Sequence, residues 1–234
     1  MPLPIAPHPA CQCCSGLSRR RLVGTGLAAT AALWAVRPRR SRAQSTLSPD
    51  AALAQLAAGN QRFIGQKLQS LDEDLAVLKQ NTAEKQEPFA AVLSCADSRV
   101  PVELVFDQSI GRLFVARVAG NVATNDIIAS LEYGAAVLGT KVILVLGHSN
   151  CGAVKAAIAG KPAPGQISGL YPYLRAAVTQ AGPDPDATGQ ANARIQAQLL
   201  ATASPVLADL IAGNALKVAA GFYDIATGKV AMLS

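Results

Sequence analysis

The chain of 234 residues is half apolar and 15% charged, a globular composition able to build one sizeable core. Its net charge of +6 is unevenly placed: seven of the 21 basic residues fall in residues 1–43, which hold no Asp or Glu, and the remaining 14 face 15 acids, a net charge of −1. The body of the chain therefore exerts no obvious pull on polyanions, which argues against nucleic-acid or membrane-surface binding.

Residues 18–24 read Ser-Arg-Arg-Arg-Leu-Val-Gly, an apolar stretch of about 15 residues runs from 22 to 36, and Ser41-Arg42-Ala43 closes a basic patch. A charged start, a short apolar stretch and a small-residue exit describe a signal peptide, and the paired arginines resemble the twin-arginine type. The apolar run falls short of the ~20 residues that span a bilayer. Residues 1–43 are thus expected to be an export signal cleaved near Ala43, delivering the mature chain to the periplasm or the cell exterior. Cys11, Cys13 and Cys14 lie in this leader and read as incidental; beyond it only Cys95 and Cys151 remain.

The body opens with Ser48-Pro49-Asp50, a cap, a first-turn proline and an early acid, followed by Leu53, Leu56 and Ala57 at helical spacing and closed near Phe63 and Ile64. A second amphipathic piece covers residues 71–78. Residues 89–94 read as a buried strand ending at Cys95, 113–118 as a second strand, and 142–146 as a third that ends at Gly147-His148. A helix over about 126–138, closed by Gly139, joins the second strand to the third, and residues 151–159 read as a helix closed by Gly160. Residues 161–173 and 182–189 read as loops. A helix over about 191–212 is expected to kink at Pro205, and 216–223 with 229–233 reads as a hairpin turned at Thr227-Gly228. Strands alternating with helices imply an α/β fold over 44–234: a central, mainly parallel sheet flanked by helices and preceded by a helical arm.

Ligand sites in such sheets lie at the carboxyl ends of strands. Cys95 and His148 both stand at such ends, on one edge of the sheet, although 53 positions separate them. His148 is the sole histidine beyond the leader, the other being His8, and Cys151 follows it by three positions. Two thiolates and one imidazole form a Cys₂His set, which suits zinc with one position left open. A helix starting at Cys151 favours its thiolate form. Asp97 and Arg99 follow Cys95 at alternate positions. There Asp97 is placed to accept a hydrogen bond from water at the metal, with Arg99 holding the carboxylate ionised.

Cys95-Ala96-Asp97-Ser98-Arg99-Val100, Arg117-Val118-Ala119-Gly120-Asn121, Ser130-Leu131-Glu132-Tyr133 and Gly147-His148-Ser149-Asn150-Cys151-Gly152 together resemble the signatures of the β-class carbonic anhydrases, with Ala96 where serine is common. The resemblance runs from about Ser48 to the end of the sequence. It implies the β-carbonic anhydrase fold and one Zn2+ per subunit on Cys95, His148 and Cys151. It implies Asp97 and Arg99 as a catalytic dyad, and reversible hydration of carbon dioxide to bicarbonate and a proton. A homodimer or dimer-based oligomer is implied too, the neighbouring subunit completing each active site. Gln86, Phe114, Tyr133 and Gly152 match substrate-contacting positions, while Ala119 replaces a larger apolar residue of plant-like members. A subset of the family has a tryptophan three positions before the first cysteine, part of an inhibitory bicarbonate site. Val92 stands there, so the plant-like type without that regulation is expected.

Two rivals stay open on the residues alone. The same scaffold suits hydrolysis of a carbon dioxide analogue such as carbon disulfide. A structural zinc or thiol-redox module would instead show a Cys95–Cys151 disulfide or a fourth protein ligand, for which Asp97 is the candidate in a closed form.

Overall fold

A computed structural model describes residues 45–234 of the chain. The expected leader, 1–43, lies outside the described residues. Helices α1 (Pro49–Ile64) and α2 (Leu75–Thr82) precede strand β1 (Ala90–Ser94), the short helix α3 (Val102–Val105) and strand β2 (Leu113–Arg117). Helix α4 (Asn125–Glu132) runs into a π-helical turn (Tyr133–Val137) and strand β3 (Val142–His148). Helices α5 (Gly152–Ala159), α6 (Tyr171–Ala181), α7 (Pro185–Ala203) and α8 (Pro205–Ala212) follow, then strands β4 (Lys217–Tyr223) and β5 (Val230–Leu233). The five strands form one sheet in the order β2-β1-β3-β4-β5, parallel except for β5, which runs antiparallel to β4.

The apolar runs at β1 and β3 are central strands, buried along their whole length because helices cover both faces. Alternation splits their side chains between two cores. Ala91, Leu93, Ile143 and Val145 pack with Ala193, Ala197 and Leu200 of α7 and Leu207 of α8. Ala90, Val92, Val142, Leu144 and Leu146 pack with Ala52 and Leu56 of α1 and with Val102, Val105 and Phe106. No single helix among the described residues is long and apolar enough to cross a membrane.

The helical arm begins as its sequence dictates, with the Ser48 hydroxyl accepting from the Ala51 N–H at 3.2 Å. It docks by close approach: a Cβ on Gly59 would lie 1.8 Å from the Phe106 carbonyl oxygen. Beside it, Asn60 Nδ2 donates to the carbonyls of Val105 and Gly228 at 3.1 and 2.9 Å, and Asn60 Oδ1 accepts from the Val230 N–H at 2.9 Å. These bonds tie α1 both to the segment after β1 and to the closing hairpin.

Four expectations shift. The piece expected at 71–78 is helical only from Leu75, where Asp74 caps it, and buries none of its residues. The Pro-Asp-rich stretch 182–189 is only partly loop. The Asp184 carboxylate accepts from the Ala187 N–H at 2.6 Å with Pro185 at the first position, so this composition starts α7 rather than delaying it. The expected kink at Pro205 is a full break. Ser204 Oγ caps α8 by accepting from the Leu207 N–H and donates to the Glu132 carboxylate, and the two helices meet at 90°. Helix α6 likewise starts at Tyr171, inside the expected loop, with Pro172 in its first turn.

Asp107 anchors the chain between α1 and α2. Its fully buried side chain pairs with Arg62 and accepts from the Gln69 and Ser70 N–H groups, while its own backbone is left-handed at φ 46°. Burial pushes the carboxyl up, but the bonds from Ser70, Arg62 and Gln69 outweigh it and hold the pKa at about 2. A carboxylate depressed on folding adds stability above its ordinary pKa of 3.8, and that addition fades as pH falls towards about 2. Asp107→Asn is therefore expected to cost about 2 kcal/mol at neutral pH. In urea unfolding, the gap between the two proteins is expected to close between about pH 4 and about pH 2. A gap that stays constant through that window would refute the assignment.

Candidate metal centre

Ser94 lies opposite Leu146 in the parallel β1–β3 pair, so Cys95 and His148 emerge at the same edge of the sheet. Cys151 supplies the N-cap residue of α5 just beyond β3. Cys95 Sγ, a ring nitrogen of His148 and Cys151 Sγ all lie within 4.8 Å of one another, and all three residues are buried. Neither cysteine is in a disulfide, so the Cys95–Cys151 bond of the redox alternative is not formed. Val122, Val154 and Leu174 pack around the two sulfurs.

His148 Nδ1 lies 2.9 Å from the Ser149 carbonyl oxygen. A carbonyl only accepts, so Nδ1 carries a proton and Nε2 is the nitrogen left for a metal. Nε2 is buried and has no hydrogen-bond partner. The Gly120 N–H donates to Cys95 Sγ at 3.3 Å. Cys95 is pushed down, chiefly by the neighbouring Cys151 thiol and against the effect of burial, while Cys151 is pushed up by the Cys95 sulfur and by burial. A divalent cation bound here would take both sulfurs as thiolates and displace their protons. A tetrahedral zinc ion with bonds of about 2.0 to 2.3 Å needs donors roughly 3.5 Å apart, the scale to which these atoms are already gathered. The orphaned Nε2, the paired sulfurs and the donor chemistry all fit such an ion.

Asp97 stands beside this cluster, its Oδ2 4.0 Å from His148 Nε2. Arg99 grips the carboxylate with both ends of its fork, Nε to Oδ1 at 2.9 Å and Nη2 to Oδ2 at 2.7 Å, and its backbone N–H also donates to Oδ1. Those bonds hold the Asp97 carboxyl well below the usual carboxylate range, with burial opposing. Asp97 is therefore an obligate acceptor near neutral pH.

A family model described as carbonic anhydrase matches residues 90–230. The chain belongs to the β-carbonic anhydrase family. It is 32% identical over 196 residues to carbonic anhydrase 2 of Mycobacterium tuberculosis, covering 79% of this chain and 93% of that protein. Among solved structures it is similar to the Coccomyxa β-carbonic anhydrase in complex with acetazolamide, with a TM-score of 0.62 and 28% identity over 77% of this chain and 86% of that one. It is also similar to the β-carbonic anhydrase CcaA, with a TM-score of 0.63 and 25% identity over 78% and 95% of the two chains. The fold and the enzyme class expected from the signatures both hold.

Five of the expected site residues, Cys95, Asp97, Arg99, His148 and Cys151, converge within the chain, and Gly152 adjoins them as the first residue of α5. The other three stand apart. Phe114 pairs with Ala91, four residues and roughly 13 Å of strand before Cys95. Tyr133, 48% exposed, has its ring 6.3 Å from that of Phe114. Gln86 is exposed ahead of β1, beyond its amino end.

Other contributors were not read from the sequence. Arg117 donates from Nε to the Cys95 carbonyl at 3.0 Å and from Nη2 to the Asp97 carbonyl at 2.6 Å. Asn150 offers its carbonyl to Arg99 Nη2 at 3.3 Å. Both residues lie inside the recognised motifs, but a bond to a backbone carbonyl leaves no signature in residue type. His148→Ala and Cys151→Ser are each expected to lower bound metal from one equivalent to under about a tenth, measured by elemental analysis of purified protein. A full equivalent on either variant would remove that residue from the ligand set.

Proposed function

We propose that this enzyme is a zinc-dependent carbonic anhydrase that hydrates carbon dioxide reversibly to bicarbonate and a proton. The observation that carries the reading is the gathering of two sulfurs and one imidazole nitrogen within 4.8 Å, beside a carboxylate locked by an arginine fork. Cys95, His148 and Cys151 would hold the ion, whose chemistry would be to let water ionise near neutral pH instead of at ~15.7. Asp97, ionised and fixed by Arg99 beside these donors, is placed to accept a hydrogen bond from water there and so to orient its oxygen towards the substrate carbon. Carbon dioxide is apolar, and the half-buried Ala119 next to Gly120 offers it an apolar wall. Because His148 is a ligand and the sole histidine after residue 8, the proton leaves through water, tyrosine or buffer.

Gln86, Phe114 and Tyr133 enter the reading through a second copy of the chain. Standing apart from their own metal centre, they are offered to the centre of a partner, so the working unit is a homodimer or an assembly of dimers. Val92 in place of tryptophan supports the plant-like type, without inhibition by bicarbonate at a separate site. The leader supports export by the twin-arginine route, with cleavage near Ala43, to the periplasm or beyond. N-terminal sequencing of secreted protein tests that.

The main test is stopped-flow hydration with carbon disulfide hydrolysis run alongside. Asp97→Ala is expected to lose about 100-fold or more in kcat with zinc retained. A fully active variant would take Asp97 out of the mechanism, and hydrolysis without hydration would replace the substrate. Wild-type turnover is expected to rise with buffer concentration, and a flat profile would demand an internal proton relay.

Subunit sharing makes a separate prediction. Cys95→Ser and Gln86→Ala proteins are each expected to be impaired as homodimers. Mixed, unfolded and refolded together, they should regain activity, because one site per heterodimer then has both residues intact. No recovery despite heterodimer formation on a native gel would confine each site to one chain.

A further inference from the structure

Helix α7 starts hard against the end of β3. A Cβ on Gly147 would lie 2.9 Å from the Gly189 carbonyl oxygen, and one on Gly189 would lie 3.6 Å from the His148 carbonyl oxygen and 3.1 Å from the Phe222 ring. Glycine at both positions lets the helix approach this closely, which brings its first turn over residues 149–151. Two acids lie in that stretch and do different things. Asp184 is the helix cap, accepting from the Ala187 N–H at 2.6 Å. Asp186 is not needed as a cap, and its Oδ1 accepts instead from the Asn150 N–H at 2.9 Å.

Asn150 is the pivot of the ligand turn. It sits between His148 and Cys151 in the left-handed region, at φ 58°. Its carbonyl accepts from Arg99 Nη2 at 3.3 Å, and the same Nη2 donates to Asp97 Oδ2 at 2.7 Å. An unbroken series of hydrogen bonds therefore runs from Asp186 through Asn150 and Arg99 to the carboxylate beside the metal donors.

We propose that Asp186 is a positioning residue: through the Asn150 N–H it fixes the turn that carries His148 and Cys151, and with it the place where Arg99 holds Asp97. This rests on the zinc-centre reading above. The residue touches neither substrate nor metal, so it acts by limiting the freedom of the groups that do. Both Asp186 and Asn150 are exposed. Water competes for the bond, which sets the expected effect nearer tenfold than a thousandfold.

The test compares wild type with Asp186→Ala, Asp186→Asn and Asp184→Ala. In the metal-free proteins, hydrogen exchange of the Asn150 amide is followed by NMR. In the zinc-loaded proteins, zinc release to a chelator and hydration kinetics are measured, and the visible spectrum is taken after cobalt substitution. Asp186→Ala is expected to exchange the Asn150 amide and release zinc about tenfold faster, shift the cobalt bands, and lose about tenfold in kcat with little change in KM. Asp186→Asn keeps an acceptor oxygen and should stay within about threefold of wild type in every readout. Asp184→Ala should lower Tm through its lost cap and leave the other readouts alone. The proposal is overturned if Asp186→Ala matches wild type, if Asp184→Ala reproduces its effects, or if neither Asp186 variant folds. If wild type fails to hydrate carbon dioxide while exchange, zinc release and spectra follow the expected pattern, the carbonic anhydrase reading falls and the positioning role stands.

Discussion

The parallel register of β1 and β3 is the constraint on which the rest depends. With Ser94 opposite Leu146, two strands end at one level, and ligands far apart in sequence come within reach of a single ion. A slip of one residue would turn Cys95 to the opposite face and part it from His148. Burial guards against such a slip. Each face of β1 and β3 meets a separate apolar core, so any shift would exchange the contents of both at once. The folding energy of the sheet and the geometry of the metal centre thus share one origin.

That centre sits at odds with its surroundings. Two sulfurs and an imidazole are packed among Val122, Val154 and Leu174, where an isolated thiolate is costly. The Gly120 N–H and the start of α5 offer partial positive charge to the sulfurs, while burial pushes the Cys151 thiol up. A divalent cation would reconcile the set, taking both sulfurs and the Nε2 of His148 among these apolar neighbours. Asp97 is handled differently. It stands beside the cluster with its charge already balanced by Arg99.

Most of this was legible in the sequence wherever residue type alone specified the outcome. Central strands announce themselves as apolar runs, and the three donors stood out because no other cysteine or histidine follows the leader. Legibility failed where the same residues serve two purposes. Pro, Asp and Gly around 182–189 are turn formers, yet Asp184 and Pro185 are also what begins a helix, and here that role prevails. Pro205 was read as a bend within one helix. Ser204 instead finds partners for its hydroxyl on both sides, in Leu207 and Glu132, so the break completes as a right angle. Phe114 and Tyr133 were legible only as positions that match the family's, and their distance from Cys95 was not, because position along the sheet axis depends on register, which composition does not record.

The two ligand-bearing loops are restrained by different parts of the molecule. The loop after β1 is held from one side by Arg117 at the end of β2, which bridges the carbonyls of Cys95 and Asp97. The turn after β3 is held from the other side by α7 and from within by Ser149, whose N–H donates to the Tyr223 carbonyl and whose hydroxyl accepts from the Ile225 N–H. Arg99 bonds both loops, through the Asp97 carboxylate and the Asn150 carbonyl. A single guanidinium therefore sets the spacing between one ligand loop and the other. It also explains the need for arginine there: lysine, a point charge without a planar fork, cannot hold a carboxylate at two points and reach a carbonyl as well.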